Sequence, residues 1–129
     1  MRVAIVTSIE STGADRGRSI AALLAAAQAI NEAYLRANPS TPWLYESGVR
    51  YDREPPEIRE EFACVPIVLR RGWGDCDDLA TWRAAELAVR RGLPAKATVI
   101  RVRGGLWHAV VKFADGRHED PSAVLGMGG

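Results

Sequence analysis

Residues 97–113 restrict the fold more than any other part of the chain. "ATVIRVR" and "WHAVVKF" are short runs rich in β-branched and aromatic residues, and "ADGR" then turns the chain toward "HEDP". The stretches before them carry helical spacing instead. Helices first and antiparallel strands later predict an α+β fold. At 129 residues the chain makes a single domain, 1–129. A domain of this size buries roughly two-thirds of the surface its unfolded form exposes.

Val3–Val6 is expected as a short strand, with "STGADRGR" as the loop after it. From Ser19, Ile20, Leu23, Leu24, Ala27, Ile30 and Tyr34 recur at helical spacing and predict a core-facing stripe that Asn38-Pro39 ends. Pro39, Pro42, Gly48, Pro55 and Pro56 punctuate the next stretch as loop, with a short helix expected near Glu57–Phe62 and then the apolar run Val65–Leu69. A second helix is predicted over Cys76–Arg91, closed by Gly92 and followed by Pro94.

"RGWGDCDDLA" sets one cysteine among three aspartates where this second helix begins. With Asp75 as N-cap, its carboxylate accepts from the amides of Asp77 or Asp78, and Asp78 resembles the far side of a capping box. Cys76 is then the first helical residue, at the positive end of the macrodipole. A helix end contributes only about 0.3–1 kcal/mol. Bringing a thiol from about 8.5 to a reactive value near 5 takes roughly 5 kcal/mol, and flanking carboxylates oppose it. A reactive Cys76 therefore needs a cationic partner, and the chain has two histidines, His108 and His118. On the turn alone, a buried thiol with capping aspartates is the simpler account.

In "LWHAVVKFADGRHEDPS", alternation puts Trp107, Ala109, Val111 and Phe113 on one face and His108, Val110 and Lys112 on the other. Which acid meets His108 depends on the hairpin. A two-residue Asp115-Gly116 turn pairs 111 with 120 and puts Glu119 on the histidine's face. A three-residue loop, with Gly116 left-handed, pairs 110 with 120 and puts Asp120 diagonal to His108. Turn propensity leaves both open.

"GDCDDLATWRAAEL", "GLPAKATVIRV", "WHAVVKF" and "EDPS" resemble, in that order, the core of the transglutaminase-like cysteine enzymes, over about the second half of the chain. "YESGVRYDREP" and "DPSAVLGM" are similar to stretches of small members encoded by bacteriophages or prophages. The resemblance implies a papain-like fold with the cysteine helix packed on an antiparallel sheet. It implies a catalytic Cys76, His108 and Asp120 as nucleophile, base and orienting acid, and hence the three-residue loop. Asp77 stands where many members carry an aromatic residue. The side-chain oxyanion donor is not fixed by the pattern; Trp43, Tyr45 and Trp73 are candidates.

The chemistry implied is attack of a Cys76 thiolate on an amide or ester carbonyl, with the Cys76 backbone N–H as oxyanion donor. Hydrolysis is favoured over amine transfer because water is always available. The expected substrate is a peptide or protein, including a cell-wall peptide. The alternative is a non-catalytic phage structural or assembly protein, with virion proteins as partners.

Other classes fit less well. The ligand types Asp75, Cys76, Asp77, Asp78, His108 and His118 match no zinc spacing, and carboxylates adjacent in sequence are not expected to converge on one ion, so no metal and no cofactor is expected. "GADRGRS" imitates a phosphate loop but is one residue short between its glycines and has Arg18 where lysine belongs. A net charge of +1 with dispersed arginines gives nucleic acid no basic block. The opening "MRVAIVTSIE" lacks a leader's apolar core, and Ile20–Ile30, broken by Gln28, is too short for a membrane span. Two cysteines do not make a disulfide framework, Cys64 reads as core, and a cytoplasmic or virion-associated protein with reduced thiols is expected.

Overall fold

The structure, a computed structural model, describes residues 14–53 and 62–128. The strand expected at Val3–Val6 lies outside them, as does the helix expected near Glu57–Phe62 apart from Phe62, which is not helical. The elements are α1 (Ala14–Ala37), β1 (Arg50–Tyr51), α2 (Val65–Arg71), β2 (Trp73–Gly74), α3 (Cys76–Arg91), β3 (Lys96–Arg101), β4 (Trp107–Lys112), β5 (His118–Glu119) and α4 (Pro121–Val124). A three-residue 3-10 turn, Leu44–Glu46, precedes β1. The protein is α+β, as its element order predicts.

α3 has the predicted ends because both are specified locally. Asp75 and Asp78 form a reciprocal capping box at the start, and Gly92 adopts the left-handed conformation (φ +62°) that closes a helix. Between them lie strong helix formers, Ala, Leu, Glu and Arg.

β3, β4 and β5 form an antiparallel sheet in that order, and β1 pairs in parallel with β2 as a separate two-stranded ribbon. α3 divides two apolar clusters. One joins Leu24 of α1 to Ala80, Ala84 and Leu87 of α3 and to Ala97, Ala109 and Val111 of the sheet. The other packs Leu79 and the fully buried Trp82 against Leu35, Leu44, Val49, Val65 and Val68. Among the described residues, no helix is long and apolar enough to cross a membrane.

α1 departs from its expected pattern. It begins by Ala14, so residues 14–18 of the phosphate-loop imitation are helical, not loop. Its buried line is Leu24, Gln28, Asn31 and Leu35, whereas Ile30, expected in the core, is 53% exposed. Two polar side chains are buried because both are satisfied. The Gln28 amide donates to the Ala95 carbonyl (2.9 Å) and accepts from the Ala97 N–H (2.8 Å). Asn31 donates to Thr81 Oγ1 (3.3 Å) and accepts from the Val65 N–H (3.0 Å). Gln28→Leu is expected to cost about 1–3 kcal/mol, because it strands a carbonyl and an N–H at little change in volume. The check is a lower urea midpoint at unchanged slope.

Candidate active site

The hairpin after β4 has the three-residue register. Val111 faces Glu119 and Lys112 faces His118, and the Phe113 N–H donates to the Arg117 carbonyl (2.9 Å). Gly116 sits at φ +89°, the left-handed position such a loop needs. The register carries Asp120 to His108, where Nε2 and Oδ2 are 2.9 Å apart. The other Asp120 oxygen accepts from the Ala123 N–H (3.3 Å) and caps α4, so one carboxylate serves both the imidazole and the last helix. His108 is buried, and Nδ1 is the ring nitrogen left over for other chemistry.

Glu119 takes the opposite direction. It accepts from Arg83 Nε (2.6 Å) and from the Tyr45 hydroxyl (2.5 Å). Arg83 also donates to Glu86 (2.8 Å), and Glu86, fully buried, accepts from the Leu44 N–H (2.9 Å). This network fastens β5 to α3 and to the turn before β1.

Cys76 stands at the first position of α3. Gly74, just before the turn, is close against Leu79, where a Cβ would come within 2.9 Å of Cδ2. The Cys76 side chain packs against the apolar cluster that includes Ala109, the residue after His108, and the Ala109 backbone N–H is the group that favours its thiolate. Parity explains this. Phe113 turns its N–H toward β5, so Val111 and Ala109 do too. β5 ends at Glu119, and its last pairing is with Val111. The Ala109 N–H therefore emerges past the end of the short strand. Among the described residues, no hydrogen bond joins the sulfur to the His108 ring.

The thiol is held protonated. Burial is the largest cause, the Ala109 N–H works against it, and the charges of Asp77 and Asp75 add to it, pushing the group from 9.0 up to about 12. The helix end, with its contribution of about 1 kcal/mol at most, does not overcome the flanking carboxylates and desolvation.

Two expectations about this turn need correction. The Cys76 N–H, expected as oxyanion donor, is already donating to Asp75 Oδ1 at 2.6 Å. The neighbouring carboxylates do converge: Asp75, Cys76 and Asp77 hold donor atoms within 4.8 Å of one another, without either histidine. That cluster has the carboxylate of Asp75 engaged by an amide and a protonated thiol between the acids, a poor donor set for zinc.

The aromatic candidates are scattered. Trp43 lies beneath Arg90 and Arg91 (4.9 and 5.2 Å to the ring centre) at the far end of α3, where Arg90 is about 21 Å from Cys76 by helical rise. Tyr45 is committed to Glu119, and Trp73 is covered by Arg71 at 3.6 Å. Tyr51, not singled out from sequence, is half-buried in β1 and pairs with Gly74, just before the turn. Its two-residue strand is too short to leave a periodic signal. His118 is exposed on β5, and Cys64, expected in the core, is a half-buried free thiol at the N-cap of α2. No family model, curated protein or solved structure matches the chain.

Proposed function

We propose that the protein is a cysteine-dependent acyl-transfer enzyme with a papain-like, transglutaminase-like arrangement, in which Cys76 is the nucleophile, His108 the base and Asp120 the orienting acid. The observation that carries the proposal is the 2.9 Å pairing of His108 Nε2 with Asp120, on the strand whose Ala109 shares an apolar cluster with Cys76 at the start of α3. Asp120 keeps the proton on Nε2, which leaves Nδ1 basic. Nδ1 takes the thiol proton as sulfur bonds to the carbonyl carbon of a peptide or isopeptide. The tetrahedral intermediate then expels the amine, which takes that proton from His108. Water attacks the thioester in turn, releases the acid and restores the thiol. Catalytic hydrogen bonds are commonly looser before substrate binds, and the sulfur–Nδ1 contact is formed in the reacting state.

Iodoacetamide alkylation across pH tests the reading. Because His108 takes the proton as the sulfur reacts, wild type is expected to alkylate faster than His108→Ala at every pH below the raised thiol value. Equal rates in the two proteins overturn the proposal. The raised thiol pKa favours a second reading, a non-catalytic structural or assembly protein with an inert Cys76. In that case wild type and His108→Ala alkylate alike.

A further inference from the structure

β5 is two residues long, and it is the strand that delivers Asp120. Its pairing with β4 consists of Val111 with Glu119 and Lys112 with His118. So short a strand has little hold of its own on the residue that follows it. A side chain supplies the hold. Successive side chains leave a strand on opposite sides, so Glu119 is turned to α3 and Asp120 to His108. One Glu119 oxygen, Oε2, accepts from both the Tyr45 hydroxyl (2.5 Å) and Arg83 Nε (2.6 Å). The same guanidinium lies over the Tyr45 ring, 4.5 Å from its centre, and donates through Nη1 to the fully buried Glu86. Arg83 follows Cys76 by two helical turns, so both stand on one face of α3.

Asp120 has two partners, His108 Nε2 at 2.9 Å and the Ala123 N–H at 3.3 Å. The bond to Ala123 is local and survives a movement of β5, whereas the bond to His108 joins two strands and does not. Bonds between a guanidinium and a carboxylate are of the strong, charge-assisted kind, and they fix β5 where its ladder ends. We infer that Tyr45 and Arg83, acting through Glu119, hold β5 so that the Asp120 carboxylate stays on His108. All three are positioning residues. The inference rests on the acyl-transfer reading for the use made of the pairing, since a misplacement of about 1 Å at such a site costs about 100-fold in rate.

The proton that joins His108 Nε2 to Asp120 gives a readout of its own. Nitrogen-edited proton NMR on histidine-labelled protein follows its exchange with water, and His108→Ala assigns the signal. In wild type the proton is expected to exchange slowly. Tyr45→Phe removes one bond to Glu119 and keeps the ring, and Glu119→Ala removes both bonds. Exchange is expected to speed up roughly tenfold in Glu119→Ala, and less in Tyr45→Phe. Glu119→Gln keeps an acceptor oxygen and is expected to return toward the wild-type rate. Gln28→Leu, which loosens α1 from β3, is expected to exchange like wild type. Each protein is measured below its own melting temperature, and Tyr45→Phe alone decides if Glu119→Ala does not fold. Wild-type exchange in Tyr45→Phe and Glu119→Ala overturns the role. An equal acceleration in Gln28→Leu also overturns it, because loosening anywhere then has the same effect. So does a wild-type proton that exchanges as fast as that of a free imidazole. None of these signals involves Cys76, so their failure leaves the acyl-transfer reading standing. Failure of that reading shows instead as equal alkylation of wild type and His108→Ala.

Discussion

Asp78→Ala is expected to lower the unfolding free energy by about 3–5 kcal/mol, the cost of removing one partner from a buried ion pair. Asp78 is 1% exposed and does three things at once. One oxygen accepts from the Ala63 N–H (2.7 Å), and the other from Arg71 Nη2 (2.7 Å) and the Asp75 N–H (3.2 Å). The substitution would leave two amides and a guanidinium short of an acceptor and would remove half of the capping box that starts α3. Asp78→Asn keeps one acceptor and loses the charge, so a smaller loss is expected. Urea titration of the three proteins measures this. A loss under about 1 kcal/mol for Asp78→Ala, typical of an exposed pair, would contradict it. The cysteine turn would then be set by something other than its own aspartates.

Stability should also fall as the solution becomes alkaline. The unfolded thiol of Cys76 releases its proton near 9.0, while the folded chain holds it to about 12. A group whose folded pKa is raised stabilises fully below the unfolded value, and its contribution drains away as pH climbs toward the folded one. Over pH 9 to 12 this amounts to at most about 4 kcal/mol. Tyr45, raised from 10.0 by burial and then by Glu119, acts in the same direction at higher pH. Urea midpoints at pH 8 and pH 11 are expected to fall less for Cys76→Ala than for wild type. Equal slopes would show that the thiol is not insulated from solvent.

The parts legible in the sequence are those that local chemistry decides. Asp75, Asp78 and Gly92 fix the ends of α3 because caps act within a turn of the helix. The β3–β4 pair is legible because alternation and burial agree along both strands. What could not be read depends on partners far along the chain. Gln28 and Asn31 look like the outside of α1 until Ala95, Ala97, Thr81 and Val65 are brought to them. The choice between Glu119 and Asp120 rests on one residue of loop, and the Asp-Gly pair suits either register. The structure resolves it, and the Tyr45–Arg83–Glu86 network shows where Glu119 goes instead. The aromatic candidates fail for a related reason. Residues close in sequence, Trp43, Tyr45 and Tyr51, end at different points along α3, and composition carries no record of that.

The amide of Gln28 has a consequence beyond α1. Among the described residues β3 is an outer strand of its sheet, and Ala97 turns its N–H away from β4. Outer strands offer ready templates on which foreign chains polymerise. By occupying the Ala95 carbonyl and the Ala97 N–H, the side chain of Gln28 imitates the next strand for one step and denies a newcomer the place to begin its ladder. A single glutamine in a helix thus takes up the pairing groups of this sheet edge at one step.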